Sequence, residues 1–547
     1  MESRRVLVCA PSMADSVEKM VSDMHLAKAQ GADVVELRLD CLKNFLPRHD
    51  LPTLLTNKPL PVIVVYRPKC EGGEYERNEK ERVESLRMAY QLGADYVDIE
   101  YKVAPDFVEE LKREHPNHGN IIVSHFSGST PSKENLTKLA AELQSTRADI
   151  IRLISTANDI TELDRIFNLL SHSQVPVIAY SEGVRGFISQ LVCTKYGGFL
   201  VYGSLEGDSL PGLPTLDSIK EVYKVERVRS DTKVFGLISK PVSHSKGPIL
   251  HNSTFRHIKF NGLYVPMFVD DLKEFFSVYT SPDYAGYSVG FPYKEAITEL
   301  CDEVHPLAKA IGAVNTIIRQ PTDGKLIGYN TDCEASITAI EDAIKYQGTT
   351  NSGTDSDSPI AGKQFVVVGA GGAGRALAFG ALIRGAKVLV FDIDLERAKS
   401  LAKAVSGEAR PFADLFHLRP EHGAILANAT PLGMHPNTDR IPVPEDTLGM
   451  YRVVFDAVYI PRRTRLLKEA EAAGAITVSG VEMFIRQAIG QFNLFTGEQG
   501  NDNSRFYLSL FSMFSLFFFG TVYYQGVLPK SHQIGFNSFV APEDFMR

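Results

Sequence analysis

Cysteine is scarce in this chain and never closely paired. Six residues (Cys9, Cys41, Cys70, Cys193, Cys301, Cys333) are scattered over 547 positions without a C-x-x-C. That pattern argues against a disulfide framework and against a zinc site, and it suits a reducing compartment. No metal is expected. Excess positive charge is also lacking: the formal net charge is −8 and the pI about 6.0. Composition therefore makes no electrostatic case for nucleic acid. The first strand-like run, Arg5-Val6-Leu7-Val8-Cys9, comes at once, so no leader is expected. A cytoplasmic protein is expected, with a plastid open if the N-terminus is incomplete. Apolar content is ordinary and the length is too great for one core, so two or three domains are expected.

The most telling local pattern lies past the middle. A strand-like run, Phe365-Val366-Val367-Val368, opens into Gly369-Ala370-Gly371-Gly372-Ala373-Gly374, and a helix-like stretch follows. A second apolar run ends at Asp392-Ile393-Asp394. Glycines at a strand-to-helix turn let backbone reach a pyrophosphate at a helix N-terminus, and an acid at the next strand tip grips a ribose diol. That acid also repels a 2′-phosphate, so NAD is expected rather than NADP.

From the start to about Glu226, eight short β-branched runs alternate with helix-like stretches, as in a closed (β/α)8 barrel. Their predicted C-terminal ends gather Glu36, Arg38, Arg67, Glu100 and His125, where such a barrel keeps its chemistry. Any one of these residues is as readily a structural ion pair. This half resembles type I 3-dehydroquinate dehydratase through Glu36-Leu37-Arg38-Leu39-Asp40, Val64-Val65-Tyr66-Arg67, Ser124-His125 and Ser209-Leu210-Pro211-Gly212. The resemblance implies a lysine that forms an imine with the substrate ketone, a proton-moving histidine at His125 and a supporting glutamate at Glu100. The lysine position is Arg152, the carboxylate-binding arginine is Gln190, and a loop glutamine is Leu213. A guanidinium stays protonated with its lone pair delocalised and cannot attack a ketone. A barrel with little or no dehydratase activity is expected.

After a charged linker, Glu221 to Thr232, the chain resembles shikimate dehydrogenase, and the fused order resembles the plant bifunctional dehydratase–dehydrogenase proteins. The matches include Lys240-Pro241-Val242-Ser243-His244-Ser245-Lys246, Pro292-Tyr293-Lys294, Gly312-Ala313-Val314-Asn315-Thr316, Asn330-Thr331-Asp332 and Asn428-Ala429-Thr430. Asp456-Ala457-Val458-Tyr459 and Glu482-Met483-Phe484-Ile485-Arg486-Gln487 continue them. The resemblance implies Lys294 and Asp332 as the catalytic pair, and Ser243, Ser245, Asn315, Tyr459 and Gln487 around the substrate. It places Thr430, Ala457, Gly480 and Met483 at the cofactor, beside the glycine turn, Asp392 and Asp394. The fold class is α/β: a barrel (1–226), a substrate-binding domain (233–345), a Rossmann domain (360–480) and a returning helix (481–499).

Two departures bear on substrate. Gly247 and Gly290 stand where the family carries a serine and a threonine near the substrate carboxylate. Their loss is expected to open space and remove donors, which suits quinate, tetrahedral and hydroxylated at C1, better than flat shikimate. The leading reading is an NAD-dependent quinate dehydrogenase, interconverting quinate and 3-dehydroquinate. The alternative is a bifunctional 3-dehydroquinate dehydratase/shikimate dehydrogenase acting also on shikimate and 3-dehydroshikimate. A monomer is expected. Residues 500–540 match nothing in the family, although Ala541 to Arg547 resumes it. The uncharged, phenylalanine-rich Phe506 to Leu528 is long enough to span a bilayer. Translated intron is the favoured explanation and a tail anchor the other; membrane contact is expected only if this segment is made.

Overall fold

The computed structural model describes residues 5–115, 118–205, 212–242, 245–347 and 358–497. Ser209, Ser243 and the whole tail segment, Phe506 to Leu528 included, lie outside the described residues. The chain divides into two compact units: Met1–Val304 with Thr316–Gly328, and His305–Asn315 with Tyr329–Arg547. The division runs through the expected substrate-binding segment.

The first unit begins with eight strands: β1 Leu7–Ser12, β2 Val34–Arg38, β3 Val62–Val65, β4 Tyr96–Glu100, β5 Asn120–Ser127, β6 Ile150–Thr156, β7 Val177–Glu182 and β8 Leu200–Tyr202. Neighbours pair in parallel around the barrel, and β8 returns to β1 through Leu7↔Leu200 and Val8↔Val201. At the remaining seam, Phe199 N–H donates to Val177 O at 2.9 Å. Helices cover the outside, so strands are buried on both faces and read as unbroken β-branched runs. All four residues of β3, Val62-Ile63-Val64-Val65, are buried.

A six-stranded sheet follows in the same unit: β9 Lys233–Ser239, β10 Gly262–Phe268, β11 Tyr284–Val289, β12 Glu303–Val304, β13 Thr316–Arg319 and β14 Leu326–Tyr329. Its order is β10-β9-β11-β13-β14-β12. The expected charged linker is in fact packed. Residues Ser218–Tyr223 and Val225–Arg227 are helical turns, and Tyr223 and Val225 are buried. The apolar residues between the charges carry that packing. Barrel residue Lys195, 6 % exposed, points its ammonium at the carbonyls of Ser230 and Thr232 and at Asp283 Oδ2, 2.9 Å away. Tyr196 and Tyr284 hydroxyls meet at 3.0 Å.

The second unit holds six parallel strands: β15 Gln364–Val368, β16 Lys387–Asp392, β17 Glu408–Pro411, β18 Ile425–Asn428, β19 Val453–Asp456 and β20 Ile476–Ser479. Their order, β17-β16-β15-β18-β19-β20, reverses direction between β15 and β18. Ligands of open α/β sheets bind outside the strand ends at such a reversal. Alternate residues of β15 feed two cores, Phe365 and Val367 one and Val366 and Val368 the other. Helix Gly480–Thr496 returns beside helix Asp332–Gln347, with Thr331 Oγ1 donating to Gln487 O at 3.0 Å. Among the described residues no helix is long and apolar enough to cross a membrane. None of their His, Cys, Asp and Glu groups is arranged to hold a metal ion.

Candidate active sites

The barrel interior is organised around Arg152 on β6. Its Nη1 donates to Glu36 Oε2 at 2.7 Å and to Asp98 Oδ2 at 3.1 Å. Its guanidinium carbon lies 4.8 Å from the centre of the Tyr202 ring. Tyr202 Oη also donates to Glu36 Oε2, at 2.7 Å, and Ser124 Oγ to Asp98 Oδ1, at 2.5 Å. Burial works against ionising Glu36, yet Arg152, Arg67 and Arg38 outweigh it and hold the carboxyl down at about 2. Burial likewise opposes the charge on Arg152, and Glu36 with its neighbours restores it, raising the pKa well above the ordinary value. The cation is locked. Arg38 turns outward to a two-pronged pair with Asp40, at 3.0 and 2.7 Å.

Glu100 does not support His125. It is claimed by Arg82, which reaches it at 3.2 and 2.7 Å from a fully buried position. Burial raises Glu100 to about 7 even against that partner. The carboxylate facing His125 is Glu71, Oε1 standing 3.5 Å from Nδ1, while Oε2 accepts the Phe126 N–H at 2.7 Å. Burial pushes Glu71 up, but His125 and that N–H bring its pKa below the ordinary value. Glu71 sits in a tight turn after β3, where Gly72 has φ +81° and a Cβ on Gly73 would lie 2.1 Å from Arg67 O. The Gly72-Gly73 pair was the available signal for such a turn. Gln190 has swung onto the barrel wall, its Oε1 accepting Tyr202 N–H at 3.0 Å. Gln190 Nε2 and Arg67 Nη2 are buried donors with no partner among the described residues.

In the six-stranded sheet, the loops after β9 and β11 carry Ser245, Gly247, Gly290 and Lys294. Gly290 N–H donates to Ile238 O at 2.8 Å and Lys240 N–H to Phe291 O at 3.0 Å. Ser245 Oγ accepts from Gly247 N–H at 3.1 Å, just where helix Gly247–His257 begins. The expected open space beside the two glycines is filled. A Cβ on Gly290 would lie 2.6 Å from Ser239 Oγ, and one on Gly247 would lie 3.1 Å from the Tyr264 ring. The atoms nearest to the two glycines thus belong to Ser239 on β9 and Tyr264 on β10. Lys294 is half-buried at the start of the next turn.

Asn315, Asp332, Tyr459 and Gln487 belong to the second unit. Asp332 is 2 % exposed at the N-terminus of its helix, where a carboxylate is favoured. Asn315 and Thr331 exchange hydrogen bonds, both at 2.9 Å, and Gln491 Nε2 donates to Asn315 O at 3.1 Å. Tyr459 stacks on Phe484 at 4.8 Å and is pushed above its ordinary pKa by burial. Gln487 Nε2 donates to Phe484 O at 3.0 Å within its own helix.

The glycine turn forms a cradle. Gly369 has φ +103°, and a Cβ on Gly374 would lie 1.8 Å from Gly369 O. Ala370 and Ala373 complete the run, Ala373 within helix Gly372–Ile383. A Cβ on Gly371 would meet only Arg397 Nη2, at 3.8 Å, so backbone there is open to a phosphate with a cation alongside. Arg397 escaped the sequence reading because it lies a helical turn beyond the motif. Asp392 accepts Ala370 N–H at 2.6 Å through Oδ2 and Asp394 N–H at 2.9 Å through Oδ1. Each oxygen keeps a lone pair, so a ribose hydroxyl still fits. Asp394 is a helix cap, its Oδ1 accepting from the N–H groups of Glu396 and Arg397 at 3.0 and 3.2 Å. That use answers the unsatisfied donors of helix Leu395–Ala404. Met483, 7 % exposed, is packed in the core.

A buried hub sits at the ends of β18 and β19. Asp456 accepts from Asn428 Nδ2 and Val458 N–H at 3.0 Å each and from Thr464 Oγ1 at 2.6 Å. Asn428 Oδ1 in turn takes the Thr430 N–H and hydroxyl at 3.0 and 2.7 Å. Thr430 and Ala457 are thus fixed by one network, and burial raises Asp456 to about 6. Gly480 backs it, since a Cβ there would lie 2.5 Å from Ala457 O.

Known proteins match the chain in two consecutive segments. Residues 8–230 match the family Type I 3-dehydroquinase, and residues 237–317 match the Shikimate dehydrogenase substrate binding domain. The chain is 51 % identical, over 90 % of its length and 82 % of the relative's, to a bifunctional 3-dehydroquinate dehydratase/shikimate dehydrogenase, chloroplastic, of Arabidopsis thaliana. It is 36 % identical over 50 % of its length to 94 % of a shikimate dehydrogenase (NADP(+)) of Pyrococcus furiosus. A dehydroquinate dehydratase and shikimate dehydrogenase structure from S. pombe covers 93 % of this chain and 99 % of its own, with 22 % identity and a TM-score of 0.40. The Arabidopsis relative speaks more for the bifunctional reading than for the quinate one. The chain belongs to the bifunctional 3-dehydroquinate dehydratase/shikimate dehydrogenase family.

Proposed function

We propose that this chain is a nicotinamide-dependent dehydrogenase of a ring CH–OH, preferring quinate to shikimate, with a barrel that no longer forms an imine. One observation carries the assignment of activity to the second half. The position of the imine lysine holds Arg152, ion-paired to Glu36 and Asp98 and 2 % exposed. A permanent, doubly paired cation is no nucleophile.

The dehydrogenase half would carry the reaction through the residues its family motifs supply. The bound dinucleotide would supply the hydride acceptor, and the Gly371 backbone with Asp392 would hold it. By the family resemblance, Lys294 would take the proton of the reacting hydroxyl and Asp332 would be the motif's carboxylate. NAD is favoured because Ile393, 89 % exposed, stands beside Asp392 where a 2′-phosphate would need a cation.

Quinate is favoured by the direction of one hydroxyl. Ser239 Oγ donates its proton to Phe291 O at 3.0 Å, so towards Gly290 it offers lone pairs. A serine or threonine facing a carboxylate must donate; Ser239 instead suits an extra hydroxyl on C1.

A second reading, dehydratase and shikimate dehydrogenase together, is favoured by the 51 % identity and by a carboxylate, Glu71, facing His125. Initial rates for quinate and shikimate against NAD and NADP, with borohydride trapping on 3-dehydroquinate, separate the two. Faster shikimate turnover or a trapped barrel adduct overturns the first reading.

A further inference from the structure

Within the first unit, the barrel and the six-stranded sheet converge on one carboxylate. Asp270 lies just beyond β10. Its Oδ2 accepts from Arg185 Nε at 2.5 Å and its Oδ1 from Lys240 Nζ at 2.6 Å. Both cations also stand over the Phe268 ring, at 5.0 and 5.6 Å from its centre. Arg185 is in the first turn of barrel helix Gly183–Val192, at the carboxyl ends of the barrel strands. The closing barrel loop presses on the same turn: a Cβ on Gly212 would lie 2.7 Å from Gly183 N.

The other side of this cluster reaches the dehydrogenase loops. Lys240 enters the segment that bears Ser245, and its N–H donates to Phe291 O at 3.0 Å. Val269 O accepts Tyr293 Oη at 2.6 Å, one residue before Lys294. Three consecutive residues, Phe268 to Asp270, therefore touch the barrel, the serine loop and the lysine loop.

We propose that Asp270 is a positioning residue for the dehydrogenase reaction, holding the Ser245 loop and the Lys294 stretch in register against barrel residue Arg185. The proposal rests on the dehydrogenase reading of Lys294. Arg185 and Lys240 side chains are 32 and 48 % exposed, and pairs so placed add little stability. Their effect is geometric: one carboxylate with each oxygen taken by a different cation fixes both. A misplaced loop holds the acid less well, so losing this constraint weakens productive binding without unfolding the protein.

The test uses the full chain with Asp270→Asn, Arg185→Ala and the double variant. KM is measured for the cofactor and for whichever acid the wild type oxidises, beside melting temperature. Hydrogen exchange is read without substrate in peptides containing Val242, Ser245 and Tyr293. Asp270→Asn is expected to raise exchange there and to raise KM for the acid about tenfold, leaving the cofactor KM and melting temperature in place. Arg185→Ala, in the barrel, is expected to give part of that loss and to add nothing to Asp270→Asn. Unchanged exchange overturns the proposal, as does raised exchange with unchanged KM, or a fall in everything together. Should the wild type oxidise neither quinate nor shikimate, the dehydrogenase reading fails on that result, while exchange still decides whether Asp270 holds the loops.

Discussion

Arg152 and Glu36 meet at 2.7 Å in the centre of the barrel, each side chain 2 % exposed. The pair joins β6 to β2 across the interior, where a working imine enzyme would keep a free amine.

Arg152→Lys is therefore not expected to restore dehydratase activity. Glu36 and Asp98 would hold the new ammonium charged, and a charged amine does not attack a ketone. Borohydride with 3-dehydroquinate should leave the variant's mass unchanged. Arg152→Met should lose about 3–5 kcal/mol in urea unfolding, because two buried carboxylates lose their counter-charge. Adding Glu36→Gln should recover part of that loss.

Asp456 predicts a pH dependence of stability. Its carboxyl ordinarily titrates at 3.8, and burial raises it to about 6 in the folded chain. The folded state thus binds the proton more tightly. Its contribution is complete below about 3.8 and is lost as pH rises through about 6. Asp456→Asn removes that dependence, so its stability relative to wild type should improve between pH 4 and 7, by on the order of 3 kcal/mol. Urea midpoints across that range check the sign.

Gly290→Thr alone should fail to convert the enzyme to shikimate. Its Cβ would stand 2.6 Å from Ser239 Oγ, breaking the bond to Phe291 O. Combined with Ser239→Gly, which also removes the Ser239 Cβ 2.9 Å away, and Gly247→Ser, it should shift the quinate-to-shikimate ratio of kcat/KM about tenfold towards shikimate. An unchanged ratio in the triple variant removes the specificity argument.

Two glycines of the cradle should part company. Gly374→Ala collides with Gly369 O and should lower stability markedly. Gly371→Ala meets nothing closer than 3.8 Å, so melting should hold while cofactor KM rises about tenfold or more as the methyl fills the phosphate approach.

Ile393→Arg should improve use of NADP about tenfold by giving the 2′-phosphate a cation, with little effect on folding at this exposed position. KM values for both coenzymes measure it.

Local pattern carried the frame. The β-branched runs of the barrel and the Val366-Val367-Val368-Gly369 turn are written in consecutive residues, so strand order and cradle were legible. Partnerships across the chain were not. Glu71 reaches His125 from the turn after β3, and Glu100 is drawn away by Arg82. Ser239 occupies the flank of Gly290 because β9 and β11 are neighbours. Asp394 looked like a ligand by position, but a helix start lay immediately after it and took its oxygen. Each of these depends on which elements adjoin, which spacing does not record.

Lys195 clasps the peptide carbonyls of Ser230 and Thr232 while reaching Asp283 beside them. A product shortened to begin at Lys233 would shed that clasp and bare the edge of Tyr284 that Tyr196 meets. Removing the leading half stays costly whatever chemistry it performs, because its neighbour is built against it.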